Sequence, residues 1–298
     1  MIVGMRFCRS GVLFVLLGSC ASVSTDPDVL WGSTWPGGAG QDPAKREQAK
    51  AALTALRYAP REEDRIIWYG RRLAYLGLYQ DAIDVYSIGL TVHPNSPKLL
   101  RHRGHRYIST RRFAEAVADF ERARTLIEGE PDEVEPDGQP NARNIPTSSM
   151  HTNIWYHLGL ARYCRGEFER ALWCYEQCLL AAKNQDMEAA TRYWVFLAAT
   201  RVGDSAKAKA ALEPVRADWD IIENHAYHQL LLLYRGDRKR DSLKTPSGDA
   251  IQGKTLEYGL ARHLFLIGEP ARGQEALQRV ASGKSPAFGS IAAAADLR

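Results

Sequence analysis

The feature that most constrains this 298-residue chain is a period. Gly70, Leu73, Tyr79, Ala82 and Tyr86 are matched 34 residues later by Gly104, Tyr107, Phe113, Ala116 and Phe120. Self-similarity at such a spacing marks an array in which each unit buries its apolar face against the next. The small residues at Gly70 and Ala82 point to closely approaching helices, because a larger side chain there would hold a helix pair apart. A third unit, Gly159, Phe168, Ala171 and Tyr175, stands 55 residues beyond the second, which is one period plus a 21-residue insertion covering roughly 131–151. A fourth follows after 37 residues (Gly203, Ala208, Leu212), and a fifth begins near Lys254, with Gly268 and Leu277 each 65 residues beyond their counterparts. Between these two, WDIIENHAYHQLLLLYRGD reads as one strong helix before the polar break RKRDSLKTPSGDA, a hairpin whose second helix is short or lost. No run of strand period competes, so the expected fold is an all-α superhelix, an α-solenoid of about five helical hairpins.

These spacings resemble the tetratricopeptide repeat, with an alanine where the two helices of a hairpin cross and aromatic residues at fixed offsets. In that family the first helix of each pair lines the concave face. Its register, carried onto this chain, turns inward Ile67, Arg71 and Ala74, then Lys98, Arg101, His105 and Ile108, then Asn153, Tyr156, Leu160 and Tyr163, then Tyr193, Leu197 and Thr200. The resemblance therefore implies a groove for a partner chain, basic at Arg71, Arg101 and His105 and aromatic at Tyr156, Tyr163 and Tyr193. Arginine offers bidentate charge-assisted hydrogen bonds to carboxylates, and tyrosine offers rigid contact area. The carboxylate clamp of the chaperone-binding members uses Lys and Asn at set inner positions. Arg101 and His105 stand at two such places here, so that clamp is not reproduced.

The first residues read as an export signal: Arg6 and Arg9, then the short apolar run GVLFVLLG at 11–18. Eight residues are too few to cross a hydrocarbon core, which takes about 20 in a helix. Leu17-Gly18-Ser19-Cys20 resembles the lipobox of bacterial lipoproteins, which implies cleavage before Cys20 and lipidation of that cysteine. Ala21 in the next position implies the outer membrane by the same resemblance. The whole chain carries 39 basic and 35 acidic residues; without Arg6 and Arg9 the balance is +2, which argues against nucleic acid as a partner. The layout is thus a signal peptide at 1–19, a lipidated cysteine and tether at 20–42, and a superhelix at 43–285. Its repeats lie near 63–96, 97–130, 152–185, 189–219 and 254–285, with the insertion at 131–151, a degenerate hairpin at 220–250 and a capping helix at 286–298.

The insertion raises the question of what interrupts a regular array. A loop of about 20 residues without periodicity is uncommon in a compact domain and is usually functional or disordered. Its acidic half, EGEPDEVEPDG, has the basic stretch 98–112 just before it in sequence, with six Lys or Arg and no acid. Its polar half is expected to order through Asn141, Arg143 and Asn144, making a lid or a built-in occupant of the groove; a loose surface loop is the alternative.

The remaining candidates for chemistry are weaker. His225 and His228 share a helix face near Glu223, and His102 and His105 form a similar pair, but neither has a third ligand fixed by spacing. SGKS at 282–285 lacks the leading glycine of a phosphate loop, because Gln278 stands there. Cys164, Cys174 and Cys178 read as packing residues. No nucleophile and base can be assembled, so no enzyme, cofactor or metal is expected. The layout is similar to that of bacterial tetratricopeptide lipoproteins that act as envelope adaptors. It implies a lipid-anchored scaffold at the outer membrane, facing the periplasm and holding envelope or periplasmic proteins. The alternative is a binding protein for a small polar or anionic ligand with residues 131–151 as its lid.

Overall fold

The computed structural model describes residues 42–245, 249–283 and 285–298; the signal peptide, Cys20 and the tether up to residue 41 lie outside them. Among the described residues there are thirteen α-helices, one 3₁₀ turn and no strand, and the all-α solenoid expected from the period is present. No described helix is long and apolar enough to cross a membrane. The helices are α1 (Pro43–Tyr58), α2 (Glu63–Tyr75), α3 (Tyr79–Val92), α4 (Pro97–Ser109), α5 (Phe113–Leu126), α6 (Met150–Tyr163) and α7 (Phe168–Ala181). They continue with α8 (Gln185–Val202), α9 (Ser205–Leu212), α10 (His225–Arg235), α11 (Ala250–Leu266), α12 (Pro270–Ala281) and α13 (Phe288–Asp296). The 3₁₀ turn, Arg240–Ser242, follows α10 where a second helix of that hairpin would stand.

Two compact units divide the chain within α4, after His102. In the first, Leu53, Leu56, Ile66, Leu73, Val85, Tyr86 and Leu99 close one core. A methyl group added at Gly70 would lie 2.3 Å from the Tyr86 ring, so the small residue is what lets α2 and α3 meet. In the second unit the same device recurs: Gly104 faces Phe120 at 2.8 Å and Gly159 faces Tyr175 at 2.6 Å, both from the added carbon. The 34-residue period is therefore a period of glycine–aromatic pairs, each 16 positions apart.

Caps explain where helices begin. Asp42 accepts from Ala44 N and Lys45 N, and Pro43 fills the first position, where no N–H is needed. Ser149 and Thr152 form a capping box on α6, and Asn184 caps α8 through Met187 N at 2.8 Å. Glycines in the left-handed region end four of the first helices, at Gly77, Gly166, Gly203 and Gly268. At the equivalent turn after α4 the residue is Arg111, with φ 63°. A non-glycine residue held there costs about 1–2 kcal/mol, and what its side chain does is described below.

Candidate functional site

The three tyrosines assigned to an open groove are buried. Tyr156, Tyr163 and Tyr193 are 6%, 1% and 0% exposed; Leu160 and Leu197 of the same unit are buried, and so are Ile67 and Ala74 in the first unit. Trp194 Nε1 donates to the Tyr156 hydroxyl at 2.8 Å, which in turn donates to that of Tyr227 at 3.0 Å. The Tyr193 ring packs on Tyr227, Trp194 and Tyr234. Burial pushes the Tyr163 hydroxyl up to about 12 and those of Tyr156 and Tyr193 well above the ordinary tyrosine range. In this state the three side chains are packed inside the chain's own fold.

What covers this face of the second unit is the chain's own C-terminal helix. The Phe288 ring sits 5.5 Å from His105 and His157 and 6.3 Å from Tyr156. Ile291, Ala292 and Ala293 have no exposure. At the far end of α13, Asp296 accepts from Arg201 at 2.6 Å, Arg262 at 3.4 Å and the Tyr258 hydroxyl at 2.9 Å. The Tyr258 hydroxyl lies 3.1 Å from that of Tyr163. Helices α11 and α12 pack along α13, while α4, α6 and α8 supply side chains at its two ends. His105 thus lies against the chain's own Phe288, and its ring stands 4.4 Å from that of His157, tilted by 37°. The residues that sequence reasoning missed are Arg201, Arg262, Tyr258, Phe288 and Asp296; the run GSIAAAAD carried the only local signal, a helix small enough to lie close against others.

In the first unit, Arg71 lies over the Trp68 ring at 4.5 Å and donates to the Tyr75 hydroxyl at 3.3 Å. Arg101 is half-buried, with Nη1 2.9 Å from His102 Nδ1. The basic stretch 98–112 meets acids from elsewhere in the fold. Arg103 grips Asp119 with two hydrogen bonds of 2.8 and 2.7 Å, and Arg112 donates to Glu115 at 2.8 Å.

The insertion is anchored along the starts of three helices in the second unit. Asn141 Nδ2 donates to Ile145 O and to Glu223, and its Oδ1 accepts from Arg143 N at 3.0 Å and Ile145 N at 3.3 Å. Arg143 pairs with Asp220 at 2.7 Å, Thr147 donates to Glu223 at 2.8 Å, and Asn184 donates to Thr147 O at 2.9 Å. Asn144 turns the chain in the left-handed region at φ 52°. The acidic half is held by its own neighbours: Asp132 accepts from His151 N and pairs with Lys183, and Glu135 accepts from Asn153. Asp186 then fixes the start of α10, its carboxylate accepting from Ile222, Glu223 and Asn224 N–H groups at 2.7–2.9 Å.

The other candidates have structural partners. His228 Nε2 is 2.7 Å from Arg216 O and its ring stacks on Trp219, while His225 is exposed. Among the described residues no group of three or more His, Cys, Asp or Glu could hold a metal ion. Cys164, Cys174 and Cys178 are buried and free, and burial pushes the Cys174 and Cys178 thiols up to about 12, so they are inert. One cleft of about 760 Å³ adjoins the C-terminus, lined by Arg111, Arg112, Phe113, Arg165, Arg201 and Arg298. Another, of about 870 Å³, is lined by Phe196, Leu212, Glu213, Tyr234, Arg235 and Leu266.

No protein-family model matches this chain, and no curated protein does. Among solved structures, a tetratricopeptide repeat protein from Parabacteroides merdae matches over 80% of this chain and 86% of its own, at 14% identity and a TM-score of 0.50. PilW, a type IV pilus biogenesis factor, matches over 81% and 94% at 13% identity and a TM-score of 0.46. YrrB, a tetratricopeptide protein described as having an unusual peptide-binding site, matches over 77% and 99% at 14% identity and 0.44. The fold is that of tetratricopeptide-repeat proteins.

Proposed function

We propose that this protein is a lipid-anchored scaffold of the cell envelope that holds a partner protein against its helical repeats. The single observation that carries the reading is the seat of α13. The inner face of the second unit takes a helix by its aromatic end at His105 and His157 and its carboxylate end at Arg201 and Arg262. The whole length of a helix, from ring to carboxylate, is gripped here, which is how a groove takes polypeptide. The address comes from the sequence alone: the apolar run at 11–18 and the lipobox-like Leu17-Gly18-Ser19-Cys20 support anchoring through Cys20, at the outer membrane and facing the periplasm. Arg71 and Arg101 of the first unit supply basic contacts for acidic groups of the partner. No catalytic role is assigned.

The test is crosslinked capture from solubilised envelopes. It compares the full chain with Arg71→Glu/Arg101→Glu, with a variant lacking 131–151, and with Cys20→Ser. Specific envelope proteins should be retained by the full chain and lost from the charge reversal, and Cys20→Ser should leave the membrane fraction. An unchanged capture list for the reversal sinks the role of the two arginines, and a Cys20→Ser protein still in membranes sinks the anchor.

A second reading, a small-ligand binding protein closed by residues 131–151, has one observation in its favour: the insertion is tied down through Asn141, Arg143 and Thr147. A thermal shift with glycans or nucleotides, lost on deleting 131–151, is its expected result.

A further inference from the structure

We propose that the inner face of the second unit is a receptor for a short helix of defined chemistry, and that α13 is its resident occupant. The helix it takes has an aromatic residue at its start, small residues along one side and a carboxylate eight positions on. A partner segment of the same chemistry replaces the resident one. The proposal deepens the scaffold reading and rests on it for the partner, but not for the seat.

Four observations carry it. The seat is complementary at both ends, with rings around Phe288 and with two guanidinium groups and a phenol around Asp296. Between them the contact demands small residues: a methyl group added at Gly289 would lie 2.3 Å from Lys254 O, a backbone atom that cannot turn aside. The segment is fastened at its entry by a residue under strain. Arg111, where four equivalent turns have glycine, holds a left-handed backbone and donates to Ser285 O at 3.2 Å.

The fourth observation is that the resident helix fits imperfectly. Ser290 is 1% exposed, and its hydroxyl has no hydrogen-bond partner. On the receptor side, Arg262 Nε is buried and likewise unpartnered, a donor the Asp296 carboxylate leaves unused. A buried polar group without a partner weakens a contact, so the seat has room for a better occupant. A helix with alanine in place of Ser290, or with the longer glutamate in place of Asp296, is the form of ligand that would displace it.

The experiment uses the full chain with a specific protease site inserted between Ser282 and Gly283. The probe is a fluorescent synthetic peptide with the sequence of residues 285–298. After cleavage, the labelled peptide should enter with saturable anisotropy while the helical circular dichroism persists. The uncut chain should bind it at least about tenfold more weakly, because the tethered occupant competes at high effective concentration. A peptide with Phe288→Ala and Asp296→Ala should lose about tenfold or more, and one with Ser290→Ala should gain several-fold. A cleaved protein that unfolds as its fragment leaves, or that excludes the peptide, overturns the proposal.

If the inserted site itself disturbs folding, amide exchange on the unmodified chain decides. Helix α13 should open and exchange while α11 and α12 stay protected. Exchange of α13 only through global unfolding overturns the proposal. Peptide exchange without any captured envelope protein would remove the scaffold reading and leave the receptor standing; capture without exchange would do the reverse.

Discussion

The guanidinium of Arg201 meets the carboxylate of Asp296 at 2.6 Å across 95 positions of chain. Arg262 and Tyr258 complete the cage, and the Asp296 side chain is only 4% exposed. Removing one partner of such a group leaves charge of one sign uncompensated, which is the expensive half of a buried ion pair. Asp296→Ala should therefore lower the unfolding free energy by about 3 kcal/mol, the low end of the range for a buried pair because Arg201 keeps some solvent. Asp296→Asn, which keeps an acceptor, should fall between. Urea unfolding at neutral pH measures both, and equal stability of all three proteins would mean the cage is not formed.

Gly289→Ala should destabilise although alanine is the better helix former. The helical gain is about 1 kcal/mol. Against it, the new methyl would press into Lys254 O, and α13 must retreat from α11. Overpacking of this kind costs about 1–3 kcal/mol, so a lower melting temperature is expected with little change in helical content. Gly159→Ala, which would strike the Tyr175 ring, should behave alike; a rise in melting temperature for either would contradict the packing described.

Asp186→Ala tests the corner that carries the insertion. Its carboxylate satisfies three backbone N–H groups at the start of α10, and the residue is 1% exposed. Losing it should cost about 2–4 kcal/mol, since each donor left without a partner costs about 1–3 and water can reach some of them. Limited proteolysis should then cut near 220–224 first. Unaltered stability and cleavage would show that the carboxylate does not hold the corner.

Stability should fall on mild acidification. Burial lowers the affinity of the His228 and His263 rings for a proton, so the folded chain keeps them neutral where the unfolded chain protonates them. Their folded pKa values lie below the unfolded one, so the stability they contribute is full above about pH 6.5 and is lost as pH falls through the folded values. Denaturant titrations at pH 7.5 and 5.5 should differ, and His228→Gln should reduce the difference. A pH dependence identical in the variant would assign it elsewhere.

The array was legible because close helix packing leaves a trace in sequence. Gly70 with Tyr86, Gly104 with Phe120 and Gly159 with Tyr175 are local pairs, and their recurrence gave both the period and the place of the insertion. The seat of α13 left almost none. Asp296 and Arg201 belong to different hairpins, and nothing near either residue announces the other. A repeat register proposes which residues of a first helix face inward, but it cannot say that Phe288 will come to lie against Tyr156. For the insertion, Asn141 and Arg143 were recognisable as residues that order a loop, whereas their partners Glu223 and Asp220 come from a segment 77–82 positions away.

The most direct measurement combines capture with competition. Envelope proteins are crosslinked to the full chain with and without an excess of the synthetic peptide of residues 285–298. The expected result is that a specific protein is displaced by this peptide and not by the version lacking Phe288 and Asp296 side chains. A capture list indifferent to both peptides would contradict the account.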